Sequence, residues 1–101
     1  MSVKVIIIGA GAAGLVAAGR AAELGAKAVL VERGPQTARK LRIAGKGRAN
    51  ITNTAELHEF IAAFGDNGKF LYSAFSRFFR NELIALLDRL GVETKVERGG
   101  R

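Results

Sequence analysis

The stretch Gly9-Ala10-Gly11-Ala12-Ala13-Gly14 constrains this chain more than any other, because three glycines at G-x-G-x-x-G spacing fall where a β-branched run gives way to an alanine-rich one. Val3 to Ile8 has the pattern of a strand covered on both faces, as in the middle of a parallel sheet. Ala12 to Leu24 reads as a helix. Leu15, Gly19 and Ala22 are spaced to lie along one small face that lets it pack close to a sheet, and Gly25 is placed to end it in a left-handed conformation. Ala28 to Val31 reads as a second strand, stopped by Arg33, Gly34 and Pro35. Strand, helix and strand together have the length of a right-handed βαβ unit.

At such a junction each glycine has a physical task. Gly9 permits the tight turn, Gly11 lets the backbone approach a pyrophosphate with no Cβ in the way, and Gly14 lets the helix pack closely on the strand. The amides that open the helix, at Ala12 and Ala13, then face the phosphates together with the positive end of the helix dipole. Glu32 closes the second strand eighteen residues beyond Gly14. A carboxylate there accepts hydrogen bonds from adenosine ribose hydroxyls and repels a 2′-phosphate, which favours FAD or NAD over NADP. The plain alternatives are a glycine turn kept only for packing and a Glu32 that is merely a solvated strand end.

Charge and composition narrow the function classes. Of the formal charge of +7, residues 1 to 32 carry +1, residues 33 to 48 carry +6 with no acid, and residues 49 to 101 are neutral. The excess is therefore Arg33, Arg39, Lys40, Arg42, Lys46 and Arg48, with no aromatic residue before Phe60. A polynucleotide track spreads its cations along a face and interleaves aromatics for stacking. This cluster reads instead as a local anion site, with a solvated charge run as the bland alternative. The absence of cysteine and the single histidine, His58, exclude disulfides, thiolate chemistry, iron–sulfur clusters and Cys/His zinc sites. The uncharged run from Val5 to Gly19 is interrupted by glycines and is too short to span a bilayer, so a cytoplasmic protein without a membrane partner is expected.

Beyond Pro35 the reading is coarser. A short helix is expected around Thr37 to Ile43, then a polar glycine-bearing loop through Asn53. Thr54 is placed to cap a helix through Phe64 with Leu57, Phe60, Ile61 and Phe64 in one apolar stripe. Two more helices are expected over Lys69 to Phe79 and Asn81 to Leu90, the second capped by Asn81 and ended by Gly91. Val92 to Val96 has the pattern of a last strand. Two or three strands make a small sheet, so the chain, one domain at most, reads like the opening section of a larger enzyme.

The opening Val-Ile-Ile-Ile-Gly-Ala-Gly-Ala-Ala-Gly-Leu with Glu32 resembles the FAD-binding start of two-dinucleotide-fold flavoproteins. The run from Arg39 through Lys40, Gly45, Lys46, Gly47, Arg48, Ala49 and Asn50 to Asn53 resembles the signature of the BaiN-like (aminoacetone oxidase) family of FAD-binding oxidoreductases. Phe70 to Phe75 and Gly91 to Lys95 also follow that family's order. The resemblance implies an α/β, Rossmann-like FAD/NAD(P)-binding βαβ unit followed by helices, with an incomplete parallel sheet. Residues 1–101 would then be the N-terminal portion of an FAD-binding domain, without its substrate domain and late FAD-binding segment. It implies FAD as cofactor, reduced nicotinamide as electron donor of the complete protein, and cofactor contacts from Gly9, Gly11, Ala12, Ala13, Gly14, Glu32, Arg33, Lys40, Gly45, Gly47, Arg48 and Asn50.

Two departures from the family pattern bear on chemistry. Ala49 stands where a cysteine is usual, and Ala44 and Lys46 stand where serine and glycine are common. Asn53 and Thr54 are read as turn and cap residues, and His58 and Tyr72 as surface or packing residues rather than acids or bases. Two other classes remain open at this point. One is a non-enzymatic anion or nucleic-acid binding module built on the +6 segment, with nucleic acid the less favoured partner. The other is an inactive truncated fragment whose open sheet edge and apolar faces promote self-association and which binds FAD weakly or not at all.

Overall fold

Parallel pairing of two short aliphatic strands organises the first half of the molecule. A computed structural model describes residues 3–44 and 49–101, and the chain forms two compact units, Met1–Asn50 and Ile51–Arg101. In the first, β1 (Lys4–Ile8) pairs in parallel with β2 (Lys27–Val31), in a register that sets Ile6 opposite Val29 and Ile8 opposite Val31. The helix α1 (Ala12–Glu23) connects them. This is a Rossmann-like βαβ unit with an open two-stranded sheet.

Helix α1 ends where glycine lets it. Gly25 adopts φ +91°, the Gly25 N–H donates to the Ala22 carbonyl at 3.0 Å, and the Ala26 N–H donates to the Ala21 carbonyl at 3.0 Å. That pair of bonds is a Schellman motif, which satisfies two otherwise orphaned carbonyls. The half-buried residues of α1 are Gly14, Leu15, Val16, Ala18 and Ala21, whereas Gly19 and Ala22, expected on the sheet-facing side, are exposed. Gly14 sets this phase. A Cβ there would lie 3.5 Å from the Ile7 side chain and overlap the Gly9 carbonyl, so residues one and two turns beyond Gly14 are carried onto the sheet.

The sheet has one covered face. Val5, Ile7, Ala28 and Leu30 are half-buried, while the alternate residues Ile6, Ile8, Val29 and Val31 are exposed, Ile8 to 86%. The double-sided burial expected from the β-branched run is therefore absent among the described residues. After β2, a five-residue helix, α2 (Arg39–Ile43), replaces the slightly longer expected one.

The second unit is built of short helices around aromatic rings: α3 (Leu57–Ala62), a 3₁₀ segment (Gly65–Leu71), α4 (Tyr72–Arg77), α5 (Arg80–Arg89) and a 3₁₀ turn (Arg98–Gly100). Of the expected stripe, Leu57, Phe60 and Ile61 form the packing face of α3, whereas the helix stops at Ala62 and Phe64 lies beyond it, 53% exposed. Ile61 is buried, and the Phe60 ring lies 5.5 Å from Phe75 and 5.2 Å from Phe79, both edge-on. Arg80 ties α5 to the segment before α3, its Nη1 donating to the Ala55 carbonyl at 2.7 Å.

Four local expectations differ from the structure, each for an identifiable reason. Thr54 does not cap α3, because the Asn53 side chain accepts from the Ala55 N–H at 3.0 Å in an Asx turn and the helix begins only at Leu57, with Glu56 at its N-cap. The helical stretch expected over Lys69 to Phe79 is split, 3₁₀ through Leu71 and α-helical only from Tyr72 to Arg77, and it follows buried Gly68, which packs so closely on the Ile61 carbonyl that a Cβ would overlap it. Helix α5 is capped from within, by Glu82 Oε1 accepting from the Phe79 N–H at 2.7 Å, and not by Asn81. Val92 to Val96 is not a strand, since it pairs with no strand among the described residues. Gly91 does end α5, at φ +78°. Among the described residues no helix is long and apolar enough to cross a membrane.

Two glycines make opposite predictions. At exposed Gly19, where a Cβ would meet nothing within 4 Å, alanine should stabilise the chain by about 0.5–1 kcal/mol through helix propensity. At Gly68, alanine should destabilise by roughly 1–3 kcal/mol through overpacking. Denaturant midpoints of the two variants, shifted in opposite directions from the parent, are the expected result.

Candidate dinucleotide site

The candidate site lies at the junction of β1 and α1, where the backbone must reverse within three residues. Gly9 adopts φ +101°, a conformation that L side chains rarely reach, and its N–H prolongs the sheet ladder by donating to the Val31 carbonyl at 2.7 Å. Gly11 is the N-cap of α1 and its carbonyl accepts from the Leu15 N–H at 3.0 Å. A Cβ on Gly11 would project into open space, leaving the turn approachable from outside. Gly14 carries the opposite constraint, since its missing Cβ is what lets α1 sit against the Gly9 carbonyl.

The first turn of α1 is suited to an anion. Ala12, Ala13 and Gly14 occupy positions whose amides have no intrahelical acceptor. Among the described residues no side chain caps this end, and no acidic residue stands in the first turn to repel a phosphate. Alanines at Ala12 and Ala13 contribute backbone donors with little side-chain bulk.

Glu32 stands beside this turn. Its Oε1 accepts from the Ala10 N–H at 2.9 Å and its Oε2 accepts from the Gly34 N–H at 2.7 Å. These bonds, Gly34 first and then Ala10, hold the carboxyl below the usual glutamate range, with the neighbouring Arg33 charge adding to the effect and partial desolvation opposing it. A carboxylate has about four lone-pair sites, so two backbone donors leave capacity for the paired hydroxyls of a ribose. The residues present thus fit an adenosine diphosphate group.

The remaining candidates are distributed unevenly. Arg33 is exposed directly after Glu32, Lys40 is exposed on α2, and Asn50 is exposed in a stretch without regular structure. Gly45, Gly47 and Arg48 lie outside the described residues. Asn53 holds its Asx turn, and His58 and Tyr72 are exposed. Among the described residues no group of His, Cys, Asp or Glu could hold a metal ion.

Sequence reasoning missed three contributors: the Ala10 backbone, Gly34 and Ala38. Ala10 is 1% exposed, and its carbonyl accepts from the Ala38 N–H at 2.6 Å. Gly34 had a signal in its Gly-Pro step, and a Cβ there would come within 3.2 Å of Glu32 Oε2. Ala38 had none, because nothing in an alanine announces its left-handed φ of +54°.

With this geometry in view, the sequence matches the HI0933-like protein Rossmann domain over residues 3–101. The chain belongs to the HI0933-like Rossmann-domain family. That places it in the FAD-binding oxidoreductase superfamily. It is 37% identical over 87 residues to the ribosomal RNA dihydrouridine synthase of Escherichia coli (strain K12). It is 34% identical over 87 residues to the protein of the same name from Haemophilus influenzae (strain ATCC 51907 / DSM 11121 / KW20 / Rd). Each match covers 86% of this chain and 21% of the relative, so the chain spans about a fifth of the length of the curated relatives it matches. These relatives carry the name of a dihydrouridine synthase and not of the BaiN-like aminoacetone oxidases that the 39–53 run resembles.

The Glu32 bonds have a definite pH dependence. The depressed carboxyl contributes its full stabilisation above the ordinary glutamate pKa and loses it as pH falls through the lower folded value. The Ala10 and Gly34 amide resonances should therefore move together on acidification, with a midpoint below the ordinary glutamate range. A midpoint within that range would contradict the bonding seen here.

Proposed function

We propose that residues 1–101 form part of the FAD-binding domain of a flavin-dependent oxidoreductase. The observation that carries this reading is the β1–α1 turn, where Gly14 seats the helix against the Gly9 carbonyl while Glu32 is fixed beside the same turn by two backbone amides. The pyrophosphate would take the amides opening α1, Glu32 would accept from the adenosine ribose, and Arg33 would add a positive charge beside it. Lys40 and Asn50, together with Gly45, Gly47 and Arg48, would approach the pyrophosphate or the flavin ring. Bound FAD supplies two-electron hydride chemistry, and the protein supplies binding, orientation and electrostatics.

For the complete protein, the curated relatives favour reduction of uridine in ribosomal RNA. Dihydrouridine differs from uridine by one hydride and one proton added across a ring double bond, which is a reaction within the reach of a flavin reduced by a nicotinamide. Such a setting is cytoplasmic, and it returns RNA as substrate of the complete protein without making the +6 segment a polynucleotide track. A polyphosphate-track interaction would weaken steeply with salt, whereas a dinucleotide held by backbone amides and a ribose-binding carboxylate would not.

Titration of the native full-length protein with FAD tests the reading. Gly11→Val, which fills the open approach to the turn, should abolish binding. Glu32→Ala should weaken it by about tenfold or more, as expected when a charged hydrogen-bond acceptor is removed. Unchanged affinity in both variants would refute an adenine dinucleotide at this turn.

A further inference from the structure

Ala38 is the one non-glycine residue among those described whose φ is positive, at φ +54° and ψ +34°. Left-handed backbone is disfavoured for residues with a Cβ, and it persists where surrounding contacts over-determine it. Here two contacts do so. The Ala38 N–H donates to the Ala10 carbonyl at 2.6 Å, and the Ala38 carbonyl accepts from the Arg42 N–H at 2.9 Å, which opens the first turn of α2.

The other end of this link is equally constrained. The peptide group before Ala10 donates its N–H to Glu32, and the peptide group after it offers its carbonyl to Ala38. Both planes flanking a buried residue in the middle of the glycine turn are thus held by groups outside the turn. Glycines permit many backbone conformations and select none. Selection has to come from elsewhere, and a turn already held in one shape loses less freedom when a ligand binds.

We infer that Ala38 is a positioning residue: with Glu32 it clamps the Ala10 backbone, pre-forms the glycine turn, and couples that turn to the basic helix α2. This rests on the dinucleotide reading for its consequence, but the clamp itself is testable without any ligand. Movement of the turn would be transmitted through Ala38 to Arg39, Lys40 and Arg42, because Ala38 is the N-cap of their helix.

Amide hydrogen exchange of the native protein, read at residues 10, 34 and 38, and FAD affinity measured on the same samples, test the clamp. Ala38→Val puts a β-branched side chain at positive φ and should accelerate exchange at both residues 38 and 10 by about tenfold or more, with FAD affinity falling in parallel. Ala38→Gly keeps the conformation and the N–H, and should leave exchange at residue 10 no faster and affinity undiminished. Glu32→Ala, at an exposed position, provides the same test should the valine variant not fold: release of Ala10 should also accelerate exchange at Ala38. Acceleration confined to the mutated end of the link would overturn the inference. Coupled acceleration in the variants of a protein whose wild type binds no FAD would uphold the clamp and refute the dinucleotide reading.

Discussion

The close seating of α1 on the end of β1 is the constraint on which the rest of the first unit depends. It is possible only because Gly14 has no Cβ to collide with the Gly9 carbonyl. From that contact follow the phase of α1, the choice of Ala18 and Ala21 as its sheet-facing residues, and the line on which the chain returns into β2. The same contact delivers the first-turn amides to the end of the sheet and brings Glu32, at the end of the neighbouring strand, beside the turn. Packing and the geometry of the candidate site are thus one feature, not two that happen to coincide.

Electrostatics sorts the neighbouring groups. The amides at the start of α1 carry partial positive charge with no acidic side chain among them, while Glu32 is spent on two backbone donors and retains room for more. The exposed cations at Arg33, Arg39, Lys40 and Arg42 lie immediately downstream in the chain. A phosphate-bearing ligand with a hydroxylated sugar meets each of these preferences. On the far side of the sheet, Ile6, Ile8, Val29 and Val31 remain open. Burying an aliphatic side chain of this size is worth about 1.5–3 kcal/mol, so whatever covers that face contributes substantially to the stability of the unit.

The first unit is legible in the sequence because its signals are local and mutually consistent. A β-branched run, a glycine turn, an alanine-rich helix and a stop glycine each specify the same βαβ unit, and Glu32 falls at the predicted place. The second unit is less legible because longer-range contacts override local preference. Thr54 has a capping side chain, but the Asx turn of Asn53 carries the chain on to Glu56 before the helix starts. Asn81 is a good cap, yet Glu82 reaches back to Phe79 first. Val92 to Val96 alternates like a strand, and alternation cannot supply a partner. The Ala38 link is invisible for a different reason: its conformation is imposed by Ala10 and Arg42, and its side chain carries no trace of it.

Backbone amide shift mapping during titration with ADP measures most directly where the anion goes. Saturable shifts centred on Gly9 to Gly14 and on Glu32 to Gly34, persisting at high salt, are the predicted result. Shifts centred on Arg39 to Arg42 that vanish with added salt, with the glycine turn silent, would contradict a dinucleotide site and leave a nonspecific anion surface in its place.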